Sequence, residues 1–378
     1  MELMKNGLAK PAILRIAAAL KKIDSQIDED TFIQTALRGL NTLELKARVN
    51  HIIHVLHKFL PNDFSLCAPI LEKIPEHWDH GDADDSFSSF AAWPIIDYIA
   101  VYGLDHPEIS LQTLKKLTPL FSAEFAIRPF LIQFPQYSYQ QLYKWTKDKN
   151  EHVRRLVSEG TRPRLPWGMQ LKPYIKDPSA NFPLLEQLKN DSSLYVRRSV
   201  ANHLNDISKD HPDKVIEICK KWLTNSDENL LWLIKHGTRS LVKSGHADVF
   251  PLLGYSENIK IEPINLKISV NTIQLGEQLR FQFKIKSIIK KSGSGKHTAP
   301  QKMVIDFALH LLKANGQKKA KVFKLKSLTL QPQEQQIIEK SHPIKKITTR
   351  KYYTGQQKLE ILINGKIVAS QTFELTGC

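Results

Sequence analysis

The apolar residues of this chain change their spacing near Gly254, and that change limits the fold more than any other feature of the sequence. Before it they recur every three to four residues, as in LELKARVNHIIHVLHKFL at 43–60, which is typical of amphipathic helices. After it they alternate with polar residues, as in strands with one buried face. The sequence therefore predicts an α-helical domain, residues 1–255, followed by a β domain, residues 258–378.

Three segments of the helical part can be aligned by their spacing. Each has an aspartate followed five residues later by a large apolar residue: Asp148 and Val153, Asp191 and Val196, Asp227 and Trp232. The separations, 43 and then 36 residues, fit an α-solenoid of paired-helix units of HEAT or armadillo size. The second helices of such units line one continuous surface. On it we expect Arg155, Glu159 and Arg162 from the first unit, Arg198, Asn202 and Asp206 from the second, and Lys235 and Arg239 from the third.

The β part predicts an immunoglobulin-like sandwich. Seven short apolar runs, 266–270, 279–285, 303–311, 322–330, 337–341, 358–363 and 366–373, have the lengths of its strands. Asn315-Gly316 and Asn364-Gly365 lie between runs, where tight hairpin turns need positive φ. The fold class is thus an N-terminal solenoid of HEAT-like repeats followed by a β-sandwich.

The cysteines and the first residues argue against several protein classes. Cys67, Cys219 and Cys378 form no CxxC pair, which disfavours a zinc ribbon, an iron–sulfur cluster or a disulfide framework. No run of about 18 apolar residues could span a bilayer, and charges interrupt positions 1–20, where a signal peptide needs an apolar stretch. We expect a cytoplasmic protein without a metal or other cofactor.

The net charge of +16 is concentrated in the β domain. Residues 258–378 contain 22 Lys and Arg against 7 Asp and Glu, whereas the preceding residues contain 32 against 31. This asymmetry indicates a polyanionic partner, most simply nucleic acid. A solubilising surface or an anionic membrane would give the same count.

Residues 153–168, VRRLVSEGTRPRLPWG, combine four arginines, one carboxylate and one tryptophan. A helical start puts Arg155 and Glu159 on one face, and two prolines then restrict the path that presents Trp167. Cations for phosphates, a carboxylate for developing positive charge and an aromatic plate for a flat cationic ring favour chemistry on a nucleobase. The alternatives are a solvated ion pair worth about 0.3–0.5 kcal/mol and a tryptophan that anchors packing.

Four segments resemble the AlkC branch of the alkylpurine DNA glycosylases, relatives of the AlkD proteins built from HEAT-like repeats. They are EHWDHGDADDSFSSFAAWPIIDYIAVYGLDHPE from Glu76, SAEFAIRPFL from Ser122, VRRLVSEGTRPRLPWG from Val153, and SSLYVRRSVANHLNDISKDHP from Ser192. The immunoglobulin-like appendage occurs in one AlkC subgroup. The resemblance implies hydrolysis of the N-glycosidic bond of cationic N3-alkylated bases, chiefly 3-methyladenine and 3-methylcytosine, in duplex DNA.

The resemblance also implies the site residues. Glu159 and Asp206 are expected to stabilise an oxocarbenium-like sugar and orient water, while Glu124 shapes the pocket or holds the base. Trp167 is expected to contact the cationic base or its sugar. Whether the base is flipped out of the helix stays open, although the resemblance favours a lesion that remains largely stacked.

Basic side chains of both domains are candidates for holding phosphates. They are Arg155, Arg162, Arg164, Arg198, Lys235 and Arg239 in the helical domain, and Lys290, Lys291, Lys296, Lys318 and Lys319 in the β domain. We expect a monomer that acts on alkylated duplex DNA at the nucleoid, in the bacterial cytosol. Two alternatives remain: a non-catalytic damage- or structure-specific DNA-binding HEAT protein, and a solenoid scaffold for other proteins.

Overall fold

The computed structural model describes residues 3–224, 226–290, 299–347 and 350–378. Helices run as far as Leu252 and strands begin at Lys267, so the predicted change from α to β near Gly254 is confirmed. Within the described ranges, no helix has the length and apolar character that a membrane crossing requires.

The helices are short, and many begin where the sequence supplies a proline in the first turn, because the fixed φ of proline suits that position. They are α1 Lys10–Ile23, α2 Glu29–Leu37, α3 Leu45–Phe59, α4 Phe64–His77, α5 Trp93–Tyr102, α6 Pro107–Leu117, α7 Arg128–Gln133, α8 Pro135–Trp145, α9 Glu151–Gly160, α10 Lys172–Lys176, α11 Phe182–Leu188, α12 Leu194–Ile207, α13 Pro212–Leu223, α14 Glu228–Gly237, α15 Arg239–Ser244 and α16 Val249–Leu252. Short 3₁₀ turns occupy Met4–Leu8, Leu40–Thr42, Ser88–Ala92 and Ser179–Asn181.

Two repeat units are equivalent in atomic detail. Arg154 in α9 and Arg197 in α12 each donate from Nη1 to two backbone carbonyls just before their own helix, at 2.8 and 3.0 Å and at 2.6 and 2.9 Å. Each arginine also donates to a side chain at the start of the equivalent helix in the following unit. Arg154 bonds to the carboxylate of Asp191, just before α12, and Arg197 bonds to the amide oxygen of Asn229, in the first turn of α14. Since α12 packs against both α9 and α14, these three helices form one continuous layer.

The third unit departs from the predicted alignment by two residues. Trp232, aligned with the buried Val153 and Val196, is 37% exposed, and Leu230 takes the buried position instead. The first residues of α12 and α14 are Leu194 and Glu228, 34 residues apart rather than the predicted 36. The prediction was also wrong in placing Arg239 on the helix of Lys235, because α14 ends at Gly237 and Arg239 begins α15.

The described residues form two compact units. The helical unit contains Met1–Asp210 and Asp227–Gly237, and the strand-containing unit contains His211–Ser226 and Thr238–Cys378. Helices α13, α15 and α16 therefore belong with the strands. The expected domain boundary at residues 255–258 divides the chain differently and stays a prediction.

The strands form two sheets, as an immunoglobulin-like sandwich requires. They are β1 Lys267–Ile268, β2 Thr272–Gln274, β3 Gln278–Lys286, β4 Gln301–Leu312, β5 Lys318–Leu330, β6 Gln335–Pro343, β7 Gly355–Ile363 and β8 Lys366–Thr376. One sheet has the order β1-β3-β6 and the other β2-β8-β7-β4-β5. All neighbours are antiparallel except β2 and β8, which are parallel. The seven predicted runs all form strands, and β2 was missed.

Alternation along the strands builds the sandwich core. β3 alternates exposed and buried residues, and its apolar face packs with that of β4 around Phe281 and Phe307. The turn between β7 and β8 is tight because Asn364 and Gly365 both have positive φ, 46° and 74°. The predicted hairpin at Asn364-Gly365 is therefore confirmed.

Candidate active site

Three carboxylates from separate segments are joined by two arginines. Arg155 Nη1 lies 2.7 Å from Oε2 of Glu124, and its Nη2 lies 3.6 Å from Oε1 of Glu159. Arg162 Nη1 lies 2.5 Å from the same Glu159 oxygen, and its Nε lies 2.8 Å from Oδ2 of Asp206. We call these five residues the carboxylate cluster. The three carboxylates that the sequence singled out thus belong to one network.

The carboxylate cluster is largely removed from water. Glu159 is 5% exposed and Asp206 2%. Burial alone would lower the pKa of Arg162, but the charges of Glu159 and Asp206 outweigh burial and raise it. The pKa of Arg155 is raised in the same way by Glu124 and Glu159. Both guanidiniums therefore stay charged, and the buried carboxylates remain paired with cations.

Further polar and aromatic side chains complete the cluster, and sequence reasoning did not identify them. Ser199 Oγ donates to Oε2 of Glu159 at 2.5 Å, and Lys209 Nζ lies 2.8 Å from Oδ1 of Asp206. Arg155 also donates to Oγ of Ser122 at 2.8 Å and lies 4.8 Å from the ring centroid of Tyr195. For Lys209 a signal existed, because it follows Asp206 by only three residues, just after the end of α12.

Trp167 stands on a loop that is tied at its base. Arg128 donates from Nη1 to the carbonyl of Gly160 at 2.8 Å and from Nε to that of Met169 at 2.6 Å. Lys46 Nζ donates to the carbonyl of Trp167 itself at 2.7 Å. Trp167 is 57% exposed, as the predicted presentation by the flanking prolines requires. The loop therefore starts at the end of α9, next to Glu159, and offers its ring to solvent.

A neutral histidine lies directly behind the cluster. His203 is fully buried on α12, and burial lowers its pKa to about 3. Its Nδ1 lies 3.0 Å from the carbonyl of Ser158, the residue before Glu159. Because a neutral ring adds no positive charge, it links α9 to α12 without competing with the arginines for the carboxylates.

The arginines predicted to hold phosphates differ in their surroundings. Arg164 pairs with Asp210 through two hydrogen bonds of 2.7 and 2.8 Å, and Arg155 and Arg162 belong to the carboxylate cluster. Arg198 is exposed and forms no hydrogen bond or ion pair with the residues that the structure describes, and Lys235 is exposed on α14. Arg198 is therefore the candidate best placed to reach a phosphate without first breaking an ion pair.

The lysine candidates of the strand-containing unit are only partly described. Lys318 and Lys319 are exposed at the start of the edge strand β5, where Lys318 Nζ lies 3.3 Å from the side-chain oxygen of Gln356. Lys290 is exposed after β3. Lys291 and Lys296 lie outside the described residues.

One group of side chains has the spacing of metal ligands. Asp213, His246 and Asp248, all in the strand-containing unit, each bring one ligand atom within 4.8 Å of the others. Both aspartates are exposed, and exposed carboxylates often lie this close without an ion. The group therefore does not by itself make a metal site.

The geometry of the carboxylate cluster suits stabilisation of positive charge. Glu159 and Asp206 are fixed by hydrogen bonds before any ligand arrives, so no reorganisation is needed when charge develops nearby. In surroundings poor in water such charges act more strongly than at a surface. A cationic ring or an oxocarbenium-like sugar is the kind of species that this site can stabilise.

Comparisons with known proteins agree for both parts of the chain. The family model described as "Uncharacterised protein YhaZ, C-terminal Ig-like domain" matches residues 263–377. A Bacillus subtilis (strain 168) protein, "Uncharacterized protein YhaZ", is 37% identical over 349 residues, which cover 92% of each chain. The solved structure "Pseudomonas fluorescens alkylpurine DNA glycosylase AlkC bound to DNA containing an abasic site analog" is 36% identical, covers 100% of both chains and has a TM-score of 0.88.

Proposed function

Since this chain belongs to the AlkC family of alkylpurine DNA glycosylases, in the branch with a C-terminal immunoglobulin-like domain, we propose that it removes alkylated bases from duplex DNA. The reaction is hydrolysis of the N-glycosidic bond. The substrates are cationic N3-alkylated bases, 3-methyladenine and 3-methylcytosine, and the place of action is DNA in the cytoplasm.

The carboxylate cluster is the observation that carries this proposal. A base methylated at N3 is positively charged and leaves with the bonding electron pair as a neutral molecule, so it needs little acid catalysis. What the reaction needs is stabilisation of the positive charge that develops on the sugar as the bond stretches. The buried and prearranged carboxylates of Glu159 and Asp206 supply it.

The residues divide the work according to their positions. Water bonds to C1′ as the base leaves, and Glu159 or Asp206 accepts the proton that the water loses. Glu124, at the other end of the network, shapes the pocket or holds the cationic base. Trp167 packs against the base or its sugar, which favours a charged ring over neutral adenine by about 0.5–2 kcal/mol.

Basic side chains hold the duplex while the site acts. Arg198 and Lys235 are the exposed candidates of the helical unit, and Arg164 exchanges its surface partner Asp210 for a phosphate. Arg155 and Arg162 would contact a phosphate through their remaining N–H groups while they stay in the carboxylate cluster. In the strand-containing unit we propose Arg239 together with the lysines Lys290, Lys291, Lys296, Lys318 and Lys319. The protein works on DNA as a monomer and without a cofactor.

Release of free base from N-methylated duplex DNA tests the proposal. Single-turnover rates and DNA affinity should be measured for the wild type, Glu159→Gln and Asp206→Asn, with the released base identified chromatographically. We expect 3-methyladenine to appear without added metal or nucleotide. Each substitution should lower the rate by roughly a hundredfold or more and change the affinity much less.

Glu151→Gln is the matched control, because Glu151 is an exposed carboxylate in the first turn of the same helix as Glu159. It should release base at the wild-type rate. If the wild type binds DNA in a salt-sensitive way but yields no free base and no abasic site, the chain is a non-catalytic DNA-binding protein. If both site variants keep the full rate, the catalytic assignment is wrong.

A further inference from the structure

The corrected repeat alignment extends the surface of the carboxylate cluster along two more helices. Glu159, Asn202 and His236 are each the ninth residue of their helix, in α9, α12 and α14. Arg155, Arg198 and Trp232 are likewise the fifth. Equivalent positions of stacked repeats lie in one row. The row that begins with a buried carboxylate therefore continues through an amide to an imidazole.

The end of this row is a preformed group of side chains. His236 Nε2 lies 3.2 Å from Oδ1 of Asn202, across the interface of α12 and α14. The imidazole stacks on the indole of Trp232, with ring centroids 5.2 Å apart and an interplanar angle of 5°. Trp232 is 37% exposed. We call Trp232, His236 and Asn202 the Trp232 platform; its rings are held in a defined orientation while one stays open to solvent.

The charged groups along the row change from carboxylates, which suit a cationic base, to cations, which suit phosphates. The carboxylates Glu124 and Glu159 lie at the α9 end, where a cationic base would be held, and Asp206 joins them from the last turn of α12. Beyond them stand the amide of Asn202 and the exposed cations Arg198 and Lys235. Because Arg155, Arg162 and Lys209 already pair with the carboxylates of the first region, the cation that a phosphodiester backbone can reach without breaking an ion pair is Arg198 in the second.

We infer that the Trp232 platform is a further DNA contact, which packs against a deoxyribose of the duplex several base pairs away from the lesion. A base inside a duplex offers no open face for stacking, whereas the sugar is the apolar part of the strand and lies next to phosphates that Arg198 can hold. Packed helices lie about 8–10 Å apart and DNA rises about 3.4 Å per base pair, so α14 would meet the duplex roughly five or six base pairs from the lesion.

This inference rests on the proposed function in one respect, namely that the helical unit binds duplex DNA. The test therefore measures binding separately from base release. DNA affinity should be determined for two duplexes that contain an abasic-site analogue. One has about ten base pairs on the 5′ side of the analogue and about three on the 3′ side, and the other has these two arms exchanged. Trp232→Ala is compared with Trp232→Phe and with Leu231→Ala, a neighbouring exposed apolar residue on the same helix.

We expect Trp232→Ala to weaken binding roughly tenfold for the orientation whose long arm reaches α14, and hardly at all for the other. Trp232→Phe keeps an aromatic plate and should retain most of the affinity, and Leu231→Ala should be neutral. Arg198→Ala should lower the slope of log affinity against log salt by about one, whereas Trp232→Ala should leave that slope unchanged.

The outcomes separate the two proposals. An unchanged affinity of Trp232→Ala, an equal loss in both orientations, or an equal loss in Leu231→Ala would overturn the inference. Unchanged thermal unfolding of each variant excludes misfolding as the cause of a loss. If base release is absent from the wild type while the orientation-dependent loss remains, the proposed glycosylase activity fails and the DNA contact stands.

Discussion

The ammonium group of Lys46 donates a hydrogen bond of 2.7 Å to the backbone carbonyl of Trp167, 121 residues further along the chain. Trp167 needs this support because its φ is 64°, a left-handed value that costs a bulky residue about 1–3 kcal/mol. Arg128 ties the same loop through the carbonyls of Gly160 and Met169. Side chains from distant helices thus hold the strained backbone of Trp167 in place. Because its side chain is exposed, we interpret this strain as the means of presenting the ring to a ligand.

Replacing Lys46 should therefore impair the site more than it impairs the fold. We expect Lys46→Met to lower kcat/KM for base release roughly three- to tenfold, because the indole is no longer held in one orientation. The free energy of unfolding should fall by less than about 1 kcal/mol, since the lysine is exposed. Lys58→Met, an exposed lysine on the same helix α3, is the control. Equal kinetics of the two variants would show that the Lys46 contact has no part in positioning Trp167.

Among the residues of the carboxylate cluster, we expect Arg162 to contribute most to the free energy of unfolding of the helical unit. Arg162→Met would leave Glu159 and Asp206 buried without the guanidinium that joins them, at a cost of about 3–5 kcal/mol. Arg162→Lys keeps the charge but cannot reproduce the planar fork, so its loss should be smaller. Urea unfolding at pH 7 measures both. The control, Arg164→Met, removes a surface pair with Asp210 and should cost less than about 1 kcal/mol; a comparable loss there would contradict the argument.

Much of the site could be predicted because local spacing determines it. Arg155 and Glu159 are four apart on one helix, so their proximity follows from the helical repeat. The equal spacing of Asp148 and Val153 and of Asp191 and Val196 predicted the repeat. The structure gives Arg154 and Arg197, which directly follow the two valines, the same contacts with the turn before their helix. The change from helices to strands followed equally from the spacing of apolar residues.

Other features depend on contacts that no local pattern encodes. Lys46 and Ser199 reach the site from segments far from residues 153–168. Lys46 stands in no distinctive motif, and no local pattern in the segment from Ser192 predicts that Ser199 contacts Glu159. The third repeat was misaligned because Asp227 caps its own helix, with Oδ1 accepting from the amide of Leu230 at 2.8 Å, whereas Asp148 and Asp191 stand further before theirs. Strand β2, with three residues, is too short to show alternation.

Asp97 should make the stability of the helical unit depend on pH. Burial raises the pKa of Asp97 to about 6, although the hydrogen bond from Nε1 of Trp93 opposes the shift. The folded protein therefore binds this proton more tightly than the unfolded chain, whose carboxyl group titrates near 3.8. Stability from this group is fully present below about pH 4 and is lost as the pH rises towards 6.

The variant Asp97→Asn keeps an oxygen for the Trp93 hydrogen bond but cannot ionise. Relative to the wild type it should gain on the order of 2 kcal/mol in free energy of unfolding between pH 4 and pH 8. Urea unfolding at the two pH values gives this difference. Asp105→Asn, at an exposed aspartate, controls for the loss of a surface charge. A gain for Asp97→Asn that is the same at both pH values would contradict the prediction.

Two glycines of the strand-containing unit allow backbone strain to be separated from close packing. A Cβ on Gly365 would lie 2.3 Å from Cα of Gly245, whereas a Cβ on Gly316 would meet nothing within 4 Å. Their φ angles, 74° and 75°, are nearly the same. Gly316→Ala should therefore cost only the left-handed strain, about 1 kcal/mol. Gly365→Ala should cost about 2 kcal/mol more, because the segments containing Gly245 and Gly365 must move apart. Urea unfolding of the two variants measures the difference, and equal losses would mean that the contact between Gly245 and Gly365 adds nothing to stability.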